Sequence, residues 1–231
     1  MCSRKFDALR DAKGGLDLSP LQSLLNAAEP VRAESIAKWN ATFSKFGWRP
    51  SAMCPCYGLA EHVVGIVGWG RKVVEVGEGS QRHTLHSSGN LATFPTDGRV
   101  VVVHPDTCHP CGEGVEGEIW ARSQHVTLGY WKKPERTKET FEGALAPGCA
   151  GWDAGTYLRT GDLGFTLGDQ LFVTGRIKDV IIIRGKNYYP QVRLHPTSPP
   201  LPSRLPTLNG GWLAGGGWGV GAGHGEDGGG V

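Results

Sequence analysis

Two short segments constrain this chain more than anything else in it: Tyr157-Leu-Arg-Thr-Gly-Asp162-Leu and Gly175-Arg176-Ile-Lys178-Asp-Val-Ile-Ile-Ile-Arg184-Gly. Each sets a charged side chain among glycines and beside a strand-like run, which predicts an acid and an arginine on two neighbouring turns. A carboxylate accepts from two hydroxyls at once while a guanidinium donates to them. The pair therefore suits a paired-hydroxyl ligand such as a ribose. Upstream, Cys56-Tyr57-Gly58-Leu59-Ala60-Glu61 adds an aromatic ring and a second carboxylate. Gly58 allows a sharp turn that would put both on one side of a cleft.

Bulk properties exclude several classes of function. A net charge of +2 makes no electrostatic case for a nucleic-acid or anionic-membrane partner. No apolar run reaches the roughly 20 residues that span a bilayer, and the stretch Met1-Cys-Ser-Arg-Lys-Phe-Asp lacks the apolar core of a signal peptide. The expected compartment is the cytoplasm, where six cysteines stay reduced.

Periodicity predicts a mixed α/β chain. Leu21 to Ala27 reads as a short strand. Ile36, Trp39, Phe43 and Phe46 recur at helical spacing over Glu34 to Phe46, with Gly47 at the C-cap position. Val63 to Val67, Val73 to Val76, Val100 to His104, Val115 to Ala121, Val126 to Trp131, Leu171 to Thr174 and Val180 to Arg184 read as strands. Pro134 opens a helix that runs to about Phe141, with Glu135 near its positive end. Many short strands between residues 70 and 175 suggest an open barrel or small mixed sheet. From Val192 onward, proline and then glycine dominate, which predicts a disordered tail.

Taken together, Cys56 to Glu61, Tyr157 to Leu163 and Gly175 to Lys178 resemble the adenylate-forming enzymes, which include acyl-CoA synthetases and peptide-synthetase adenylation domains. Ala60, where that superfamily usually carries Thr, and the preceding Cys54-Pro55-Cys56 resemble the fatty acyl-AMP ligase branch. The resemblance implies ATP or AMP and Mg²⁺ as cofactors, a fatty acid as substrate, and an acyl carrier protein or CoA as acceptor. It implies that Asn26, Ala27, Ala28 and Glu29 line the adenine, that Tyr57 and Gly58 lie against the base, and that Glu61 holds Mg²⁺ at the phosphates. Asp162 would bind the ribose hydroxyls with Arg176 in support, and Lys178 would be the hinge of a small C-terminal domain. Gly117-Glu118-Ile119-Trp120, Gly129-Tyr130-Trp131-Lys132-Lys133-Pro134-Glu135 and Lys186-Asn187-Tyr188-Tyr189-Pro190-Gln191 also match, in packing and strand-turning roles.

The implied fold is part of the large N-terminal domain, including a small β-barrel-like region, over 1–175. The hinge and the start of the next domain would occupy 176–191, and a non-native tail, such as a retained intron would encode, 192–231. The sequence shows no Ser/Thr/Gly-rich phosphate loop ending in Lys and no catalytic Lys of a C-terminal domain. Residues 1–231 alone are therefore expected to lack adenylation activity and to expose apolar surface. A non-catalytic nucleotide-binding remnant or interaction module is the alternative. Cys108-His109-Pro110-Cys111 has zinc or redox spacing, but a glycine turn follows where a redox pair wants a helix N-terminus.

Overall fold

A computed structural model describes residues 16–28, 31–76, 83–94, 98–152, 155–179, 181–183 and 186–188. Glu29 and the segment from 191 to 231 lie outside the described residues, so the expectations placed on them have no structural counterpart here. In chain order the elements are β1 (Leu24–Asn26), α1 (Ala33–Phe43), β2 (Met53–Pro55), β3 (Val73–Val76), β4 (His83–His86) and β5 (Gly89–Asn90). They continue with β6 (Arg99–Val103), β7 (Gly117–Arg122), α2 (Pro134–Phe141), β8 (Leu158–Leu167), β9 (Gln170–Arg176), β10 (Ile181–Ile183) and β11 (Lys186–Tyr188).

A five-stranded antiparallel sheet of order β5-β9-β8-β7-β6 organises the chain. Strand side chains alternate between faces, and β7 uses both. Ile119 and Ala121 pack with Val102, Leu171, Ile66 and Phe94, while Trp120 packs with Val101, Val103 and Tyr157. Burial on both faces explains the near-continuous apolar runs of β6 and β7. A second layer forms where α1 packs Ile36 and Phe43 against Val31, Trp48, Ala52 and Met53. Beside it β1 and β2 pair in parallel, Asn26 opposite Pro55. The helix closes as its sequence predicts: a 3₁₀ turn over Ser44–Phe46 leads to Gly47 at φ 79°. Pro134 sits in the first turn of α2 and Glu135 beside it.

The expected open, mixed architecture is met: the sheets among the described residues are open, with no closed barrel. Other expectations are corrected. Val63 to Val67 is not a strand: Ala60–His62 forms a 3₁₀ turn, and Val63 and Val64 take φ of 51° and 76°. β-Branched residues avoid that region, so the valine run misled because tertiary contacts hold the turn. Gly58 permits the close approach, since a Cβ there would lie 1.8 Å from the Val64 carbonyl oxygen. Val126 to Trp131 is an irregular loop with Leu128 and Trp131 in solvent. Leu25, Val63, Val64 and Val73 are also exposed. Among the described residues no helix is long and apolar enough to cross a membrane.

Gly164 packs where a side chain has no room, a Cβ there lying 2.3 Å from the Phe172 carbonyl oxygen and 2.9 Å from Ile119. Gly164→Ala is expected to destabilise the chain by about 1–3 kcal/mol through forced backbone shifts. Urea denaturation checks it; an unchanged midpoint would show that β8 relaxes freely.

Candidate functional site

The acid and the arginine flagged in the sequence stand on strands rather than turns, which corrects the expectation. β8 and β9 form a hairpin closed by Gly168-Asp169, with Gly168 at φ 60°. Its register puts Asp162 opposite Arg176. Side chains directly opposite each other in an antiparallel pair share a face, and Arg176 Nε lies 3.3 Å from Asp162 Oδ1. Fourteen residues of sequence separation therefore become one contact.

Two irregularities flank Asp162. Between the pairs Trp120–Arg159 and Glu118–Leu163, the single residue Ile119 faces the three residues Thr160, Gly161 and Asp162. This arch re-aims Asp162, as bulges do beside functional sites. Its closure is polar and complete: Thr160 Oγ donates to the Ile119 carbonyl at 2.6 Å and accepts from the Asp162 N–H at 3.1 Å. Gly161, at φ 72°, donates its N–H to Glu118 Oε1 at 3.1 Å. Glu118 Oε2 takes Arg159 Nε and Nη2 at 3.2 and 2.9 Å. On the β9 side the register shifts again, so that Thr174 is passed over between the pairs Leu163–Gly175 and Gly164–Val173.

Tyr57 reaches the same acid from the other layer, donating its hydroxyl to Asp162 Oδ2 at 2.8 Å. Both carboxylate oxygens thus have a donor. Burial pushes the Asp162 carboxyl above its ordinary value, and the Tyr57 and Arg176 contacts oppose that shift without cancelling it. Burial, then the nearby Asp162 charge, holds the Tyr57 phenol well above its ordinary range. Ala28, Cys56, Tyr57, Gly58, Asp162 and Arg176 line one cleft. Asn26 lies under it through its backbone, its carbonyl accepting from the Cys56 N–H at 3.0 Å. Ala27 is exposed beside it and Ala28 takes φ 77°. A wider adjoining groove shares Asp162 and Arg176 and adds Glu61 and Lys178. Lys178 is exposed in the 3₁₀ turn Ile177–Asp179.

Sequence reasoning missed Tyr130, which it assigned to packing. Its hydroxyl donates to Glu61 Oε1 at 2.5 Å. Thr137 on α2 accepts the Tyr130 N–H at 2.9 Å, and the Arg136 guanidinium lies 4.9 Å from the ring centroid. The Thr127 N–H also reaches the Glu61 carbonyl at 2.8 Å. No sequence signal marks that contact, because it joins segments 69 residues apart. Glu118 did carry a signal: an acid at the head of an apolar strand needs a partner. Among the described residues no group of three or more His, Cys, Asp or Glu side chains could hold a metal ion.

With this geometry in view, the comparisons with known proteins have a clear reading. A family model described as AMP-binding enzyme matches residues 2–131. The chain belongs to the AMP-binding enzyme family. It is 38% identical over 207 residues to the medium-chain fatty acid–acyl-carrier-protein ligase JamA of Moorena producens (strain JHB), covering 82% of this chain and 34% of that protein. It is 37% identical over 189 residues to a putative fatty-acid–CoA ligase of Mycobacterium leprae (strain TN), covering 77% and 33%. A solved fatty acyl-adenylate ligase from L. pneumophila, in complex with acyl adenylate and pyrophosphate, aligns with TM-score 0.65 and 37% identity over 77% of this chain and 33% of that one. A solved fatty acid AMP ligase from Legionella pneumophila aligns with TM-score 0.62 and 39% identity over 74% and 31%. The AMP-binding chain thus spans about a third of the length of the relatives it matches, and its resemblance is to the fatty acyl-AMP ligase branch.

Two tests follow for this AMP-binding fold. Glu118→Gln removes the charge shared by Arg159 and the Gly161 N–H, and is expected to cost about 1.5–3 kcal/mol in urea denaturation. A loss under 0.5 kcal/mol, about the size of an ordinary surface change, would show the arch closes without it. Asp162 behaves oppositely. An acid whose folded pKa exceeds its unfolded value binds its proton more tightly when folded, so its contribution falls as pH rises through the window above 3.8. Asp162→Asn should leave the pH 7 midpoint unchanged or raised, with any gain fading toward pH about 4. A clear loss at pH 7 would mean the Arg176 pair outweighs burial.

Proposed function

We propose that this chain is part of an ATP-dependent ligase that converts a fatty acid to its acyl adenylate, for transfer to the thiol of an acyl carrier protein or of CoA. The observation that carries this reading is the convergence of Tyr57, Asp162 and Arg176 on one cleft from segments 105 residues apart. The names of the relatives, fatty-acid ligases of carrier protein, CoA and AMP, support the substrate class.

Each residue has a role that its geometry can perform. The Asp162 carboxylate already accepts two donors, a phenol and a guanidinium. A ribose offers two hydroxyl donors of the same kind, so the nucleoside would take over contacts that the chain now satisfies itself. Arg176, exposed at the cleft edge, then supports the ribose while remaining beside the acid. Ala28, Cys56 and Gly58 form the wall behind Tyr57 and leave room for a base. Glu61 fits Mg²⁺ through its donor chemistry: a hard carboxylate, held at one oxygen by Tyr130, with the other for the cation. A single carboxylate is what a nucleotide-borne Mg²⁺ needs, since phosphates and water supply its remaining ligands. When bound, the ion would offset the phosphate charge. The chemistry is attack of the fatty-acid carboxylate on the α-phosphorus with loss of pyrophosphate, and it needs positioning and charge neutralisation rather than a protein nucleophile. Lys178 would serve as a backbone hinge, which suits its exposed side chain.

The test is binding of a non-hydrolysable acyl-AMP analogue to a full-length protein that contains this segment. Asp162→Ala should weaken it by about one to two decades, the loss of one charged hydrogen-bond acceptor. Unchanged affinity by calorimetry would defeat the ribose assignment. Residues 1–231 by themselves should release no pyrophosphate from ATP in the presence of fatty acid and Mg²⁺, because no phosphate-loop lysine stands in this sequence. Turnover by this chain, lost in Glu61→Ala, would overturn that expectation.

A further inference from the structure

We propose that Ser123 and His62 form a nucleophile–base pair that accepts an acyl group from an activated acyl compound, at a centre apart from the nucleotide cleft. Neither residue lines the cleft or the groove beside it, and the roles given to Glu61, Asp162 and Arg176 do not use them. The pair stands on its own geometry and holds whether or not the chain binds nucleotide.

His62 is fully buried at the end of the Ala60–His62 turn. Its Nδ1 lies 2.7 Å from the Gly65 carbonyl oxygen. A carbonyl only accepts, so Nδ1 carries the proton and Nε2 of the neutral ring presents its lone pair. Ser123 Oγ lies 2.7 Å from that Nε2. The hydroxyl is therefore the donor, and its proton already points at a base. A serine within hydrogen-bond reach of a histidine whose other nitrogen is fixed by a third group is the arrangement by which proteins activate serine. Here a backbone carbonyl does the orienting that a carboxylate does elsewhere.

The His125 N–H donates to the same Oγ at 3.0 Å, which fixes the position of that oxygen against the base. Two further observations favour reactivity over a mere polar tie. Ser123 is half-buried just beyond β7 rather than sealed, and His125 beside it is exposed. The base is held rigidly: Val63 and Val64, at φ 51° and 76°, belong to the turn that the His62–Gly65 bond closes. Backbone strain of this kind is retained where the surroundings over-determine it and clusters at functional sites.

The step balances within the pair and the acyl compound. Ser123 Oγ attacks the acyl carbonyl carbon, and its proton moves to His62 Nε2. The tetrahedral intermediate collapses, breaking the bond from carbon to the leaving oxygen or sulfur. The leaving group takes the proton from His62, and Ser123 is left as an ester. Water can follow the same path to free the acid.

The test uses the chain of residues 1–231 with a fluorophosphonate probe, followed by peptide mass mapping, and with p-nitrophenyl octanoate, followed by release of p-nitrophenol. The expected result is one phosphonyl adduct on Ser123, absent in Ser123→Ala and absent when the chain is unfolded in urea. His62→Asn keeps a donor for Gly65 but no base, and should slow labelling at least tenfold with the far-ultraviolet circular dichroism unchanged. No adduct on Ser123 in the folded chain would overturn the proposal. So would labelling that persists in urea, a readout that needs no variant to fold. Equal labelling of a folded His62→Asn chain would also reduce the pair to a structural contact.

Discussion

A carboxylate sealed inside a sheet is tolerated only where charge and N–H donors surround it, and Glu118 meets that condition in a way the rest of the site depends on. One of its oxygens holds the Arg159 guanidinium and the other the Gly161 N–H. Arg159 stands before the three-residue arch of β8 and Gly161 within it, so the two bonds fix where the arch starts and how far it rises. Beyond the arch, Asp162 and Leu163 pair regularly with Arg176 and Gly175 of β9, which holds the acid where Tyr57 reaches it.

The layout is the familiar exchange of stability for function. Asp162 is buried at a cost, shown by its raised pKa, and is held by contacts that a ligand's hydroxyls can replace. Tyr57 is the internal stand-in, a hydroxyl donor supplied by the other layer. Under the proposed function, a ribose diol would take over contacts that Tyr57 and Arg176 now make to Asp162.

The 58–65 turn shows a different logic. Its conformation is locally unfavourable, since Val63 and Val64 occupy the left-handed region. It persists because Gly58 allows the chain to pass within contact of Val64, because Val64 N–H bonds the Leu59 carbonyl at 3.0 Å, and because buried His62 bridges Gly65 and Ser123. Glu61 is carried on that turn and fixed from outside by Tyr130. One strained turn therefore delivers Glu61 to the groove and His62 to Ser123.

Much of this was legible in the sequence. The helices Ala33–Phe43 and Pro134–Phe141 followed from apolar spacing, Gly47 and Pro134, because helix periodicity and caps are local properties. Strands β3, β6, β7 and β9 followed from β-branched runs bounded by turn residues. The spacing of Tyr57, Asp162 and Arg176 pointed to one family, since motif order survives whatever the contacts are. What the sequence could not contain was the register. Whether Asp162 sits on a turn or in a strand depends on which residues of β7 and β9 lie opposite, and hydrogen bonds between distant segments decide that. The same holds for Val63 to Val67, where β propensity lost to contacts that force a left-handed turn, and for Tyr130, whose partner lies 69 residues away. Local chemistry named the residues; long-range pairing decided which of them meet.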